Sequence, residues 1–487
     1  MKFIVKLPFE ITLKNRPVRK RFIKILESNV KKLLCRVDKQ LYTRVNVDSI
    51  GIYTPNDSPE NRISLIQLLQ CIPGIPHFVE VKHFDVVDVH DIFEKTHAVY
   101  AKSLEYKTFR VETKKVGTHN FNSAEIEQYV TRGLNESVKS AKVSLIKPDI
   151  TIHLEIINKD LFIVTNTHKG LSGLPIGTQE NALSLVSDGC DSAAASYQTI
   201  KKGYITHYCF FNLGGSTQEA VVKELYYYLW NKYGSSHKVK FFSVDFKPVI
   251  DELLGNEEHG QTSLLLKRMM MRVAEKIAVK SNIQALVTGE FMEQVSSQTL
   301  NNLKVVDRVT DIPILRPIIA CRKKNITDIT REIGIEHFTK TLTQPASLIS
   351  KNTTIKTVMS DIECQEKSFN FDILDKVVND TKLYDIRDID QATETQITTV
   401  DTVENIVEGI IIIDIRSPEE SENNPLKIDG VKVKCLPFYK LGSQFSELDH
   451  STEYFLYCDH GVMSKLQALL LINNGFKNVK VYQPRNK

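Results

Sequence analysis

The chain is 487 residues long, with 42% hydrophobic residues, 25% charged residues and a formal net charge of +4, values that exclude disordered and fibrous classes. At roughly 150 residues per domain, the length predicts about three or four domains. No apolar run nears the roughly 20 residues that span a bilayer, and the opening "MKFIVKLPFEITLKNRPVRK" has no small-residue cleavage site, so a cytoplasmic protein with no membrane partner is predicted.

Residues 1–6 alternate like a short strand, and Pro17 opens a helical stretch, "VRKRFIKILESNVKKLL". Residues 45–53 and 77–81 read as strands flanking the helical "SPENRISLIQLLQCIPGI", a small α+β unit. Lys14, Arg16, Arg19, Lys20, Arg21, Lys24, Lys31, Lys32 and Arg36 make its start basic, which fits either a nucleic-acid footprint or a solvated helix face. A second unit begins near His90 with the helix "DIFEKTHAVYAKSL", the strand "TFRVETKKVG", a helix with Ser123 as its N-cap, and a strand pair turning near Lys159. Lys107, Arg110, Lys114, Lys115, His119 and Lys139 make it basic as well, and two adjacent basic modules favour nucleic acid.

From Asn181 the segments "ALSLVS", "THYCFFNL", "KVKFFSVDF", "QALVTGE" and "PILRPII" alternate with long helices, the pattern of a parallel sheet wrapped on both faces. Such sheets bind ligands at the carboxyl ends of their strands, which makes residues 187–192, 213–215 and 288–290 candidate loops. The Thr-rich "DIRDIDQATETQITTVDTVEN" reads as a connector. After it, "IIIIDIRSPEE", "VKCLPF" and "YFLYCDHGVMSKLQALLLINNGFKNVKVY" make a second α/β unit of about 80 residues.

Two segments carry chemistry. In "LVSDGCDSAAASY" a strand ends, a short turn follows, and a helix starts on small residues, which aims backbone N–H groups and a helix N-terminus at one spot, as phosphate sites do. Neither the P-loop nor the dinucleotide spacing is present, so on spacing alone an ordinary strand-turn-helix junction fits equally. Cys458 stands at another strand-to-helix turn, with its helix predicted to begin near Ser464, and the N–H groups and helix dipole there favour the thiolate. A phosphatase would need an arginine fork after the cysteine, whereas Ser464 and Lys465 stand there, so a persulfide carrier fits better. The eight cysteines form no C-x-x-C pair, which argues against zinc and against a disulfide framework.

The run Ser187-Asp188-Gly189-Cys190-Asp191-Ser192 resembles the S-G-G-x-D-S pyrophosphate loop of the adenylating ATP pyrophosphatases. Together with "PIGTQENALSLVS", "HYCFFNLGG", "LKRMM", "QVSSQTL", "LRPII", "LPFYKL" and "CDHGVMSKLQAL", it makes nearly the whole chain resemble the tRNA 4-thiouridine synthetases, or tRNA sulfurtransferases, that carry a rhodanese domain. The resemblance implies an α/β multidomain chain. Its parts would be a ferredoxin-like α+β N-terminal domain over 1–80, a THUMP tRNA-binding region over 61–167, a PP-loop parallel-sheet adenylation domain over 168–395 and a rhodanese-like α/β domain over 404–487. It further implies an enzyme that uses ATP and Mg2+ to adenylate uridine 8 of tRNA, then transfers persulfide sulfur to it, giving 4-thiouridine. Leu185, Val186, Ser187, Gly189, Ser192, Lys267, Gly289 and Gln298 would bind ATP, Asp191 would act on magnesium and the activated uridine, and Cys458 would carry the persulfide. Lys114, Lys115 and His119 would contact tRNA. The implied sulfur donor is a cysteine desulfurase, a small sulfur-carrier protein for the thiazole of thiamine is a second acceptor, and a homodimer stays open.

Four departures from that family are visible. Asp188 stands where the family has glycine; facing a triphosphate at about 4 Å it would cost on the order of 4 kcal/mol at an effective dielectric of 20, whereas facing outward or holding magnesium it would not. Glu293 adds a second carboxylate nearby, and Glu112 and Val116 dilute the basic strand. Ala346 replaces the family's second redox cysteine, which leaves an external thiol or Cys190 to resolve the persulfide. An alternative reading is therefore a tRNA-binding or persulfide-relay protein with a decayed adenylation site, separable by its ATP affinity.

Overall fold

Alternation in "KFIVK" sends Phe3 and Val5 to one face of a strand and Ile4 to the other, and both faces are buried. This strand, Lys2–Lys6, pairs antiparallel with Ser49–Tyr53 on one side and with Ile75–Asp85 on the other. Ile75–Asp85 is long enough to pair with Asp160–Ser172 as well, and so one eight-stranded sheet results. Its order is Tyr42–Val45, Ser49–Tyr53, Lys2–Lys6, Ile75–Asp85, Asp160–Ser172, Ile150–Ile157, Thr108–Val116, Lys142–Val143. Helices Arg16–Leu34 and Pro59–Gln70 bring Leu26, Val30, Leu65 and Leu69 into one core with Phe3 and Phe78. Helices Val89–Tyr100 and Ser123–Ser137 cover Phe109, Ile152 and Leu154 in another.

The computed structural model describes the chain except residues 1, 47, 188, 214–215, 256–260, 293–298, 336–357, 390–399, 405–409, 417–420, 422–423, 429, 438–440, 442–444, 450, 459–461, 474 and 485–487. It has two compact units, Met1–Thr178 with Lys201–Gly203, and Gln179–Ile200 with Tyr204–Lys487.

In the second unit the strands Ile314–Leu315, Ala285–Val287, Asn181–Val186, Ile205–Asn212 and Lys240–Asp245 lie in that order and are all parallel. The chain steps outward from Asn181–Val186 to Lys240–Asp245, then returns to Ala285–Val287 on the opposite side. The reversal between Asn181–Val186 and Ala285–Val287 opens a crevice at their carboxyl ends, the usual ligand position of such a sheet. A second sheet, also all parallel, runs Thr402–Val403, Val479–Tyr482, Tyr454–Tyr457, Ile411–Asp414, Lys432–Cys435. Its reversal lies between Ile411–Asp414 and Tyr454–Tyr457, directly before Cys458. No helix among the described residues is long and apolar enough to cross a membrane.

Local chemistry corrects three expectations. The single strand expected over 45–53 is a hairpin, Tyr42–Val45 and Ser49–Tyr53, closed by the Asn46 amide donating to the Ser49 carbonyl at 2.8 Å. The helix Ser123–Ser137 is capped by Asn122, not Ser123, because Glu125 stands at the third helical position and exchanges hydrogen bonds with Asn122 in a capping box. The stretch expected as a connector contributes Asp385 to an antiparallel edge strand, Lys382–Asp385, and Thr402–Val403 to the last sheet. Both strands are too short for periodicity to reveal them.

Helix Thr262–Lys280 is fastened to helix Met359–Glu366 by Arg268, whose guanidinium forks onto Glu366 at 2.6 and 2.7 Å with both side chains buried. Removing one partner strands a buried charge, so Glu366→Leu is expected to destabilise the protein by about 3–5 kcal/mol, read as a lowered urea midpoint. Adding Arg268→Met to that variant is expected to recover most of the loss.

Candidate active site

Helix Cys190–Lys201 starts just past the end of strand Asn181–Val186, and its residues Ala193, Ala194 and Ala195 are wholly buried, so the helix lies close on the sheet. Ser192 closes the loop between them. Its hydroxyl donates to the Gly189 carbonyl at 3.0 Å and accepts from the Ser187 amide at 3.3 Å and from the Tyr226 hydroxyl at 2.9 Å. The Gly189 amide donates in turn to Ser187 Oγ at 3.2 Å. On the far side of the crevice, a Cβ added at Gly289 would lie 2.6 Å from the Ser192 amide nitrogen and 2.7 Å from the Asp191 carbonyl carbon. Only glycine permits that approach. Leu185 and Val186 at the strand end, the loop residues Ser187, Gly189, Asp191 and Ser192, and Gly289 are thus brought to one place.

Charge is distributed around this loop in two groups. Asp191 Oδ1 lies 2.8 Å from Lys323 Nζ, which also sits 5.2 Å from the Phe291 ring. Lys323 is the first residue of helix Lys323–Ile333, where a cation opposes the helix dipole and needs a carboxylate to offset it. In the second group, Lys267 Nζ is 3.2 Å and Arg316 Nε 2.8 Å from Glu290, while Arg316 also forks onto Asp307 at 2.5 and 3.0 Å. Burial alone would push the Glu290 carboxyl up, but the charges of Lys267 and Arg316 outweigh it and hold the group below its ordinary 4.5. Next to Arg316 opens a cavity of about 600 Å³ lined by Leu303, Lys304, Asp307, Arg308, Arg316 and Ile319 among others.

Sequence reasoning found the loop but missed Tyr226, Arg316 and Lys323. Arg316 stands inside the family-like segment "LRPII", a signal that could have marked it, whereas Tyr226 and Lys323 belong to no such segment and the available signal was a lysine placed at a helix start, against the dipole. Asp188, Glu293, Gln298 and Ala346 lie outside the described residues, as do Gly214 and Gly215 of the second candidate loop.

Cys458 follows strand Tyr454–Tyr457, and helix Val462–Asn473 begins two residues ahead of Ser464. The Ser464 amide donates to Cys458 Sγ at 3.3 Å, and the buried Ser464 hydroxyl lies 3.4 Å from the same sulfur. Such donors favour the ionised form of a sulfur nucleophile. Behind it, Arg416 pairs with Asp414 at 2.7 Å, both buried, and its guanidinium lies 5.1 Å from the Tyr457 ring. Asp414 and Tyr457 are register partners, so this pair braces the two strand ends at the point of reversal.

In the first unit, Lys114 pairs with Asp48 at 2.5 Å, and His119 donates from Nε2 to the Asn158 carbonyl while stacking 5.1 Å from Phe121. Lys114 and Lys115 are neighbours on one strand and therefore point to opposite faces, so they do not form a single contact. Glu112 pairs with Arg110 and lies 3.1 Å from His153, which leaves this strand with mixed charge.

Comparison with known proteins follows the same division. The family described as "Thiamine biosynthesis protein (ThiI)" matches residues 177–371, the THUMP domain 86–166 and the rhodanese-like domain 399–483. The tRNA sulfurtransferase of Colwellia psychrerythraea (strain 34H / ATCC BAA-681) is 61% identical over 99% of this chain and 100% of its own length. The protein of the same name from Shewanella halifaxensis (strain HAW-EB4) is 50% identical over the same shares. The crystal structure of a 4-thiouridine synthetase–RNA complex with bound ATP superposes with a TM-score of 0.70 at 23% identity, covering 79% of this chain and 99% of that one. PH1313 from Pyrococcus horikoshii Ot3 reaches 0.51 at 19% identity, over 68% and 99%. The two superpositions show a shared fold.

The Glu290 network has a pH signature. Because the folded carboxyl titrates below its ordinary value, its contribution is complete above pH 4.5 and is lost as pH falls through the folded value. Glu290→Gln is therefore expected to lower stability by about 3 kcal/mol at neutral pH, with the gap between variant and parent closing in acid. A gap that stays constant into acid, measured by urea melts across pH, would contradict this assignment.

Proposed function

Because this chain belongs to the tRNA sulfurtransferase family, we propose that its two strand-end crevices perform successive halves of one reaction, adenylation of uridine 8 of tRNA and displacement of AMP by persulfide sulfur. The observation that carries the first half is the approach of Gly289 to Ser192, which brings the start of helix Cys190–Lys201 against the strand-end segment that carries Gly289. That arrangement suits the phosphates of ATP, with Ser187, Gly189 and Ser192 in the loop, Lys267 beside it, and Leu185 and Val186 on the strand toward the nucleoside; Gln298, the remaining ATP candidate, lies outside the described residues. ATP supplies the adenylyl group that turns the uridine 4-oxygen into a leaving group, with magnesium balancing the phosphate charge. Asp191 is the carboxylate available to the metal, and Lys323 beside it is the cation that meets negative charge as it develops.

The second half belongs to Cys458. A cysteine desulfurase loads it, and the Ser464 amide and hydroxyl, with the helix N-terminus, stabilise the anionic sulfur. The terminal sulfur attacks C4 of the activated uridine and AMP leaves. Sulfur is then bonded to both Cys458 and the base, and a thiol must take Cys458 before the product is free; with Ala346 in the chain, that thiol is external or is Cys190. Lys114, Lys115 and His119, all within the THUMP-matched segment, supply phosphate contacts to tRNA. We assign the ferredoxin-like, THUMP, PP-loop and rhodanese-like parts to 1–80, 61–167, 168–395 and 404–487, in a cytoplasmic enzyme.

A second use of Cys458 is favoured by the family description, which names thiamine biosynthesis. Delivery of sulfur to a small carrier protein for the thiazole ring needs Cys458 but not necessarily the ATP loop.

The test is mass spectrometry of digested tRNA after incubation with the protein, ATP, magnesium, a cysteine desulfurase and an external thiol. 4-Thiouridine is expected, and Cys458→Ser is expected to abolish it together with the persulfide. Asp191→Asn and Lys323→Met are expected to lower it about a hundredfold or more while leaving the persulfide on Cys458 intact. Undiminished 4-thiouridine in Lys323→Met would refute its placement at the reacting phosphate.

A further inference from the structure

Helix Ser216–Leu229 is engaged on two sides. Tyr226 is wholly buried and donates to Ser192 Oγ at 2.9 Å, with its ring 4.8 Å from that of Tyr208. Ala220 and Val221 lie roughly 120–140° around the helix from Tyr226, given about 100° per residue. They share a buried apolar cluster with Ile413, Ile415, Phe445, Leu456 and Ala468, all within the rhodanese-like segment. Helix Val462–Asn473, which follows Cys458, packs against the same helix. The helix is also tied to the sheet edge: Lys223 is wholly buried, pairs with Glu219 at 2.8 Å and lies 3.9 Å from the Tyr384 ring.

We infer that helix Ser216–Leu229 is the seat on which the rhodanese-like domain docks, and that Tyr226 is the positioning residue through which the docked domain senses occupancy of the nucleotide loop. The small side chain of Ala220 lets the partner surface come close and Val221 adds apolar contact, and their exposure of 2% and 3% shows that both are covered. The Ser192 hydroxyl has one proton, now given to the Gly189 carbonyl. A phosphate in the loop competes for that proton. The buried Tyr226 hydroxyl must keep an acceptor, and the two it reaches, Ser192 Oγ at 2.9 Å and the Ser187 carbonyl at 3.4 Å, both belong to the loop, so when Ser192 turns to the phosphate the helix that carries Tyr226 moves with the loop. Since the docked domain rests on the other side of this helix, the sulfur carrier registers the change. The inference rests on the proposed binding of ATP by this loop.

Hydrogen exchange of the full chain, with and without ATP and magnesium, tests it. Exchange is expected to slow about threefold or more both in helix Cys190–Lys201 and in helix Val462–Asn473. In Tyr226→Phe the slowing is expected to remain in the first helix and to vanish from the second. Slowing confined to Cys190–Lys201 in the unaltered chain overturns the coupling, whereas no slowing there overturns the ATP reading and this inference with it. Ala220→Asp places a carboxylate in the apolar seat and is expected to cut 4-thiouridine yield about tenfold while Cys458 still takes up sulfur. Full yield from that variant overturns the seat, and if it does not fold, the exchange pattern of the unaltered chain decides.

Discussion

The closeness of Gly289 to the start of helix Cys190–Lys201 is the constraint on which the proposed adenylation site depends. With 2.6 Å between a would-be Cβ and the Ser192 nitrogen, no side chain fits, and two strand ends on either side of the topological reversal meet through bare backbone. From that contact the rest is placed: Asp191 and Ser192 on one lip, Glu290 as the next residue on the other. Ser192 spends its hydrogen bonds on holding the loop, accepting from the Ser187 amide and donating to the Gly189 carbonyl, which fixes the loop against the start of the helix.

Charge then divides labour within a few ångströms. Glu290 is surrounded by Lys267 and Arg316 and stays ionised in spite of burial, so it fixes the lysine in place near the loop. Asp191 pairs, among the described residues, with Lys323, whose side chain is half-exposed where Arg316 beside Glu290 is largely buried. The Cys458 crevice repeats the architecture with different chemistry: a parallel reversal, a strand end, a helix start, and a buried Arg416–Asp414 pair bracing the strands instead of a glycine joining them.

The parallel strands were legible because "ALSLVS", "THYCFFNL" and "KVKFFSVDF" are continuous apolar runs between helical segments, and a buried parallel sheet demands that pattern. The two strand-to-helix turns were legible for the same reason. Lys323 was not, since 132 positions separate it from Asp191 and only folding brings the two together. Tyr226 and Arg416 were hidden likewise, each being an unremarkable residue in its local sequence, and "LRPII" holds Arg316 without showing that it pairs with Glu290 and Asp307. The edge strands Lys382–Asp385 and Thr402–Val403 were missed because their pairing is decided by the neighbouring strand and not by their own composition.

The division of chemistry between the two crevices has one chain both activate the base and deliver the sulfur. Its most direct test is a single turnover with the protein preloaded at Cys458 with heavy sulfur, freed of desulfurase, then mixed with tRNA, ATP, magnesium and an external thiol. Heavy 4-thiouridine is expected in the tRNA, up to one per loaded chain and none when ATP is left out. Heavy sulfur released as sulfide or retained on Cys458, with the tRNA unlabelled, would contradict the account and leave a sulfur relay without base activation.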